Sequence, residues 1–193
     1  MLIAAASHPI VLWYATRATG VVALVLLTLA TSLGLLNRSG VHSERWPRFL
    51  IHAVHRRAAL LSVVFLGLHI VTTVLDGYEP ISWLDSVIPF LSPYRTFWLG
   101  LGTVACDLLL AVWITSLLRA RLGYRAWRAV HWLAYGCWPV ALIHGIGIGT
   151  DAGQSWMLAL DVVCVASVLV AASVRYSGVT VALRASRARQ TVP

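Results

Sequence analysis

Lysine does not occur in the 193 residues, acidic side chains number only seven, and charged residues together make up 11% of the chain. Soluble domains carry about 25% charged residues. This shortage, with 59% hydrophobic residues and a mean hydropathy of +0.80, excludes an ordinary water-soluble fold and indicates an integral membrane protein. Cysteine is scarce too: Cys106, Cys137 and Cys164 all lie in apolar stretches and form neither CxxC nor CxxCH. Neither a disulfide framework nor covalent haem attachment is indicated, and the three read as small buried hydrophobes. The N-terminal MLIAAASHP lacks the basic region of a cleavable signal peptide, so the first apolar run is expected to be retained as a span. No low-complexity segment or internal repeat is evident. A single domain over 1–193 is expected, with its core at about 10–175 and a basic tail over 176–193. The lack of lysine we attribute to genome composition.

Crossing a hydrocarbon core of about 30 Å takes about 20 mostly apolar residues. Five stretches meet that requirement: Pro9–Leu36, Phe49–Leu75, Thr96–Leu118, Ala129–Ile148 and Trp156–Val174. The expected fold is an all-α bundle of five transmembrane helices. A formal charge of +8 would suit nucleic acid only on a basic soluble face, and here the arginines sit between apolar spans. They report topology instead. Arg38, Arg45, Arg48, Arg56 and Arg57 cluster between the first two spans, Arg119, Arg121, Arg125 and Arg128 between the third and fourth, and Arg175, Arg184, Arg187 and Arg189 after the fifth. The alternate connections carry Asp76, Glu79 and Asp85, then Asp151. Thirteen of fifteen arginines agree with an outer N-terminus and a cytoplasmic C-terminus in a multi-pass cell-membrane protein.

Of seven histidines, His8 and His42 lie in polar flanks, while His52, His55, His69, His131 and His144 lie in the second and fourth spans. Both spans run from inside to outside, which places His55 and His131 near the inner surface and His69 and His144 near the outer one. The two levels are roughly 20 Å apart at ~1.5 Å rise per residue. One intramembrane histidine is most simply a helix-to-helix hydrogen bond. Two level pairs on two parallel helices instead offer axial nitrogen donors to a flat metal cofactor, and two b-type haems fit better than tetrahedral zinc, whose ligands must cluster. Helical phase favours the first pair: fourteen residues at ~100° each return to within ~40° of the same face. His131 and His144, thirteen apart, are ~140° out of phase on a straight helix; Pro139 between them permits a kink or local rewinding, and different histidine rotamers or two haems approached from different directions would absorb the rest.

The two histidine runs, His55 with His69 and His131 with His144, resemble the paired spacings of the ferric reductase-like transmembrane domain. That family includes ferric reductases, NADPH oxidases and the haem-bearing membrane subunit of the bacterial periplasmic methionine sulfoxide reductase system. The stretch "WYATRATG", Trp13 to Gly20, is similar to small bacterial members. The resemblance covers about residues 10–175. It implies a bundle enclosing two stacked b haems, with inner iron ligands His55 and His131 and outer ligands His69 and His144. It also implies a cytochrome b type of electron transport. Ferric reductases and NADPH oxidases continue into a cytosolic FAD- and NADPH-binding region, which this chain does not include. The glycine run "GIGIG", Gly145 to Gly149, follows no strand and reads as close helix packing.

Several other residues are weighed. Arg56 and Arg57 are candidates to pair with haem propionates, with topology and anionic lipid headgroups as the alternative. His52 is a weaker ligand candidate, ~100° off the face of His69. Arg17 is expected to meet an outer propionate or Asp161, or to snorkel. Asp107 and Asp161 are intramembrane carboxylates, either protonated, paired or on a proton path. Phe65, Trp132, Tyr135 and Trp138 read as packing or as lining of an electron path. The functional expectation is a membrane electron carrier, an oxidoreductase component that acts through a partner. A quinol, a bound flavin such as FMN, or a separate reductase or flavoprotein would donate; ferric iron, oxygen or a periplasmic oxidoreductase would accept. The alternatives are a haem-binding anchor subunit for a partner enzyme and, from another class, a small transporter or channel.

Overall fold

Apolar segments in lipid must satisfy their own backbone hydrogen bonds, and the described apolar segments do so as helices. The computed structural model describes residues 2–37 and 47–190, with the side chains of 2–9, 48 and 178–190 left aside. Arg38, His42 and Arg45 lie outside the described residues, as do the side chains of His8, Arg48, Arg184, Arg187 and Arg189. Six helices follow in order: α1 Leu2–Leu36, α2 Arg48–Asp76, α3 Thr96–Leu117, α4 Arg119–His131, α5 Ala134–Ile148 and α6 Ser155–Gln190. No strand occurs among the described residues.

Among the described residues four stretches are long and apolar enough to cross a membrane: Ile10–Leu36, Phe49–Asp76, Thr96–Leu117 and Ser155–Ser177. The span expected over Ala129–Ile148 differs. Its first three residues end α4, and its apolar part forms the 15-residue α5, which at ~1.5 Å per residue is shorter than a ~30 Å core. Trp132 and Leu133 join the two with dihedrals of −64°, −24° and −62°, −22°, the values of a 3₁₀ turn. A second difference lies at the C-terminal end, where α6 continues past Val174 to Gln190, so much of the expected tail is helical.

Helix ends follow local chemistry. Gly77 takes φ +63° just after α2, a left-handed position that ends helices at low steric cost. Between α2 and α3 a short 3₁₀ turn, Leu84–Ser86, is tied down by the buried Asp85, whose carboxylate accepts from Ser82 N at 2.7 Å and Ser82 Oγ at 2.9 Å. Thr103 Oγ1 then donates to the Asp85 carbonyl at 2.7 Å. Inside α4, Gly123 departs from helical geometry with φ +75° and ψ 162°.

α1 packs along α2 and also meets α5 and α6, and α3 packs against α5. The core joins Leu24 and Leu27 of α1, Ala105 of α3, Cys137, Trp138 and Leu142 of α5 and Cys164 of α6. All three cysteines are buried free thiols. The paired histidines lie on α2 (His55 and His69), at the end of α4 (His131) and on α5 (His144), and α2 is not among the closely packed partners of α4 or α5 in the described residues. α1 and α3 flank them, and that arrangement leaves space between the histidine-bearing faces.

Candidate cofactor site

An α-helical carbonyl has two lone pairs, and only one is used by the N–H four residues on. The second is reachable by a neighbour's side chain where that fourth residue has no Cβ. α1 offers two such places. His55 Nδ1 lies 2.8 Å from the Ala30 carbonyl, and four residues on, a Cβ at Gly34 would come 3.4 Å from the ring. His69 Nδ1 lies 2.8 Å from the Thr16 carbonyl, and a Cβ at Gly20 would come 2.9 Å from Nδ1 itself. α3 repeats the arrangement for α5: His144 Nδ1 lies 2.8 Å from the Trp98 carbonyl, and a Cβ at Gly102 would come 2.5 Å from the ring.

A carbonyl only accepts, so in each of these three contacts Nδ1 carries the proton and donates. Nε2 is left with its lone pair available. This is the outer hydrogen bond that metal-binding histidines use to fix tautomer and ring orientation. His131 is held in another way. Its ring stacks on Trp127 with centroids 4.9 Å apart, and Trp127 Nε1 donates to Ser116 Oγ at 3.2 Å. His131 faces His55 with ring centroids 6.4 Å apart and planes at 71°. Two imidazoles on opposite sides of one metal, each bonded at ~2 Å, bring their centroids roughly 6 Å apart.

The phase mismatch between His131 at the end of α4 and His144 in α5 is absorbed where the 3₁₀ turn lies. Leu133, Tyr135 and Gly136 donate to the carbonyls of Val130, Trp132 and Leu133, three residues back, and regular spacing resumes with Cys137 to Leu133. A 3₁₀ turn advances about 120° per residue against about 100° in an α-helix. Roughly four such residues reduce the ~140° offset to ~60°, near the ~40° between His55 and His69. Pro139 lacks the N–H that would bond the Tyr135 carbonyl, which relieves the demand for regular winding at this turn.

His69 and His144 line one cavity of about 390 Å³, whose wall also includes Gly20, Leu24, Ser62, Gly102 and Cys137. The donor set fits a flat bis-imidazole cofactor: neutral nitrogen donors in pairs, glycine-lined seats, and apolar walls. Among the described residues no three His, Cys, Asp or Glu side chains converge.

At the acidic end the cavity meets Arg17 and Asp151. These two form an ion pair, and the guanidinium lies 4.0 Å from the Trp13 ring centroid. Arg17 was expected to meet an outer propionate or Asp161, or to snorkel; its acidic partner is Asp151 of the α5–α6 connection rather than Asp161. The other arginine at this end, Arg95, donates to the carbonyls of Gly147 and Ile148 at 3.2 and 3.4 Å, closing the last turn of α5. Both arginines that depart from the charge asymmetry are therefore held in specific contacts.

His52, Arg56 and Arg57 are exposed on α2. Asp107 is exposed on α3, and Asp161 is buried in α6. Trp138 is buried, with Nε1 donating to Thr28 Oγ1 at 2.8 Å. In the "GIGIG" run, Trp98 packs directly on Gly147. Sequence reasoning missed Gly20, Gly34, Gly102 and Trp127. A signal for two of them is present: Gly20 and Gly34 are fourteen apart, as are His55 and His69, which is the match two antiparallel helices need.

Neither a curated relative nor a solved structure matches the chain. The sequence does match the family described as ferric reductase like transmembrane component over residues 19–142. That segment takes in Gly20, Gly34, His55, His69, Gly102 and His131 and ends two residues before His144. Because it covers more than half of the chain, the protein is a multi-pass membrane member of the ferric reductase-like transmembrane family.

Proposed function

We propose that this transmembrane component is a b-type cytochrome that carries electrons across the membrane through two haems, one held by His55 and His131 and the other by His69 and His144. The observation that carries the reading is the repeated seat of His55, His69 and His144, where a carbonyl takes the Nδ1 proton and a glycine admits the ring. Bound haem iron supplies one-electron chemistry, and its potential is set by its axial ligands and surroundings. The chain's own residues fix the rest. α1 and α3 hold the imidazoles rigid, the apolar core between the levels excludes water, and the α5 turn brings His131 and His144 toward a common face.

The arginine-rich end is assigned to the cytoplasm and the acidic end, with the N-terminus, to the outside. Electrons would enter at the His55–His131 level from a quinol, a flavin or a separate reductase, and leave at the His69–His144 level to iron, oxygen or a periplasmic oxidoreductase. Arg56 and Arg57, exposed beside His55, are proposed partners of the inner propionates. Purified protein, made where porphyrin is plentiful, is expected to give a reduced-minus-oxidised b-type spectrum with two low-spin haems per chain. A colourless preparation overturns the reading, and metal or proton flux without haem absorbance would favour a transporter.

A further inference from the structure

The chain's cations and anions are separated along the membrane normal. Of seven acidic residues, only Glu44 falls in an arginine-rich connection, and it lies outside the described residues. Asp76, Glu79, Asp85 and Asp151 belong to the opposite end, and Asp107 and Asp161 to spans. The ion pair of the described residues joins Arg17 to Asp151, at the acidic end. Among the described residues no acidic side chain belongs to the connection that carries Arg125 and Arg128.

Arg125, Arg128, Ala129 and Trp132 stand at i, i+3, i+4 and i+7, one stripe of a helix, and all four are exposed. With Tyr124 they line a surface pocket of about 400 Å³. Its edge is extended by Arg175 of α6, whose guanidinium lies 5.5 Å from the Trp132 ring centroid and donates to Tyr135 Oη at 3.1 Å. The stripe is turned about 110° from His131 on the same helix, so it faces away from the paired histidines. Two residues beyond Trp132 the apolar α5 begins, so the pocket lies where an arginine-bearing surface meets hydrocarbon.

We infer that this pocket binds one anionic phospholipid of the adjacent leaflet, with the phosphate on Arg125 and Arg128 and an acyl chain running down Trp132 onto α5. Guanidinium forks match phosphate oxygens, tryptophan is at home at headgroup depth, and basic pockets between spanning helices on the cytoplasmic side bind anionic headgroups. The ligand that presents a phosphate and an apolar chain at this boundary is a membrane lipid.

The test is native mass spectrometry of the full chain released from vesicles of equimolar phosphatidylglycerol and phosphatidylcholine. One phosphatidylglycerol is expected to be retained in preference to phosphatidylcholine. The Arg125→Gln/Arg128→Gln double variant should weaken retention roughly thirtyfold, from two interfacial cations. Removing equal charge at Arg121 and Arg189 should leave retention unchanged. Trp132→Ala should speed lipid loss with both arginines in place. Equal retention of the two lipids, or equal losses in the two double variants, overturns the inference. So does complete displacement by inorganic phosphate, which would make the pocket a plain anion site. The measurement is indifferent to haem content.

Discussion

The ring of His144 occupies the space a side chain would take at Gly102, where a Cβ would stand 2.5 Å from Cε1 and 2.6 Å from Nδ1. The ring cannot retreat without lengthening its 2.8 Å hydrogen bond to the Trp98 carbonyl, so ligand orientation and helix spacing are one constraint. This gives a graded prediction. The corresponding distances are 2.9 Å at Gly20 and 3.4 Å at Gly34. Gly102→Ala should disturb haem binding most, Gly20→Ala less, and Gly34→Ala least. Haem per protein and the low-spin fraction are the readouts; an equal response from all three would show that the glycines serve helix packing alone.

Removing ligands one level at a time tests the layering. His69→Ala or His144→Ala should remove one haem and leave the other low-spin, while His55→Ala or His131→Ala should do the reverse. Second-site losses should be minor, because the levels are separated by roughly 20 Å of bundle. Potentiometric titration of each variant should show a single remaining component. Uniform loss of both haems from every variant would refute the pairing by level.

Much of this arrangement is legible in the sequence because a bilayer penalises polar groups so heavily. A histidine within an apolar run announces a partner, and His55, His69, His131 and His144 do so at matching depths. Span length is equally readable for α1, α2, α3 and α6. The division of the fourth span is not. The thirteen-residue spacing and Pro139 point to rewinding, but its place depends on hydrogen bonds to carbonyls three residues back around Trp132, and residues such as Trp, Leu and Tyr do not mark that position. The glycine seats lie on helices other than those of their histidines, so no single-helix pattern shows them. Arg17 defeated sequence reasoning for a related reason: Asp151 reaches it through a loop whose path depends on tertiary packing.

Pro139 can be tested as the cause of the tightened turn. An alanine there restores an N–H for the Tyr135 carbonyl and so favours regular winding through 132–139. Regular winding moves His131 and His144 back toward the ~140° offset of a straight helix. Pro139→Ala should therefore raise the high-spin fraction at one haem and broaden its electron paramagnetic resonance signal. Unchanged spectra would mean that packing of Cys137 and Trp138 against α1 and α3, rather than the proline, holds the turn.

The buried bond between Trp138 and Thr28 ties α5 to α1. Thr28 Oγ1 accepts from Trp138 Nε1 at 2.8 Å and donates to the Leu24 carbonyl at 2.8 Å, so one hydroxyl serves both partners. Thr28→Val keeps the volume and leaves the indole N–H without its acceptor. A buried donor left unsatisfied costs about 1–3 kcal/mol; in membranes such interhelical bonds average about 0.6 kcal/mol, so the lower end is expected. Thermal unfolding in detergent should show the loss, and Thr28→Ser, which retains the hydroxyl, should recover most of it. If Val and Ser behave alike, the hydroxyl contributes nothing, and α1 and α5 are held by the apolar contacts of Leu24, Leu27 and Leu142 alone.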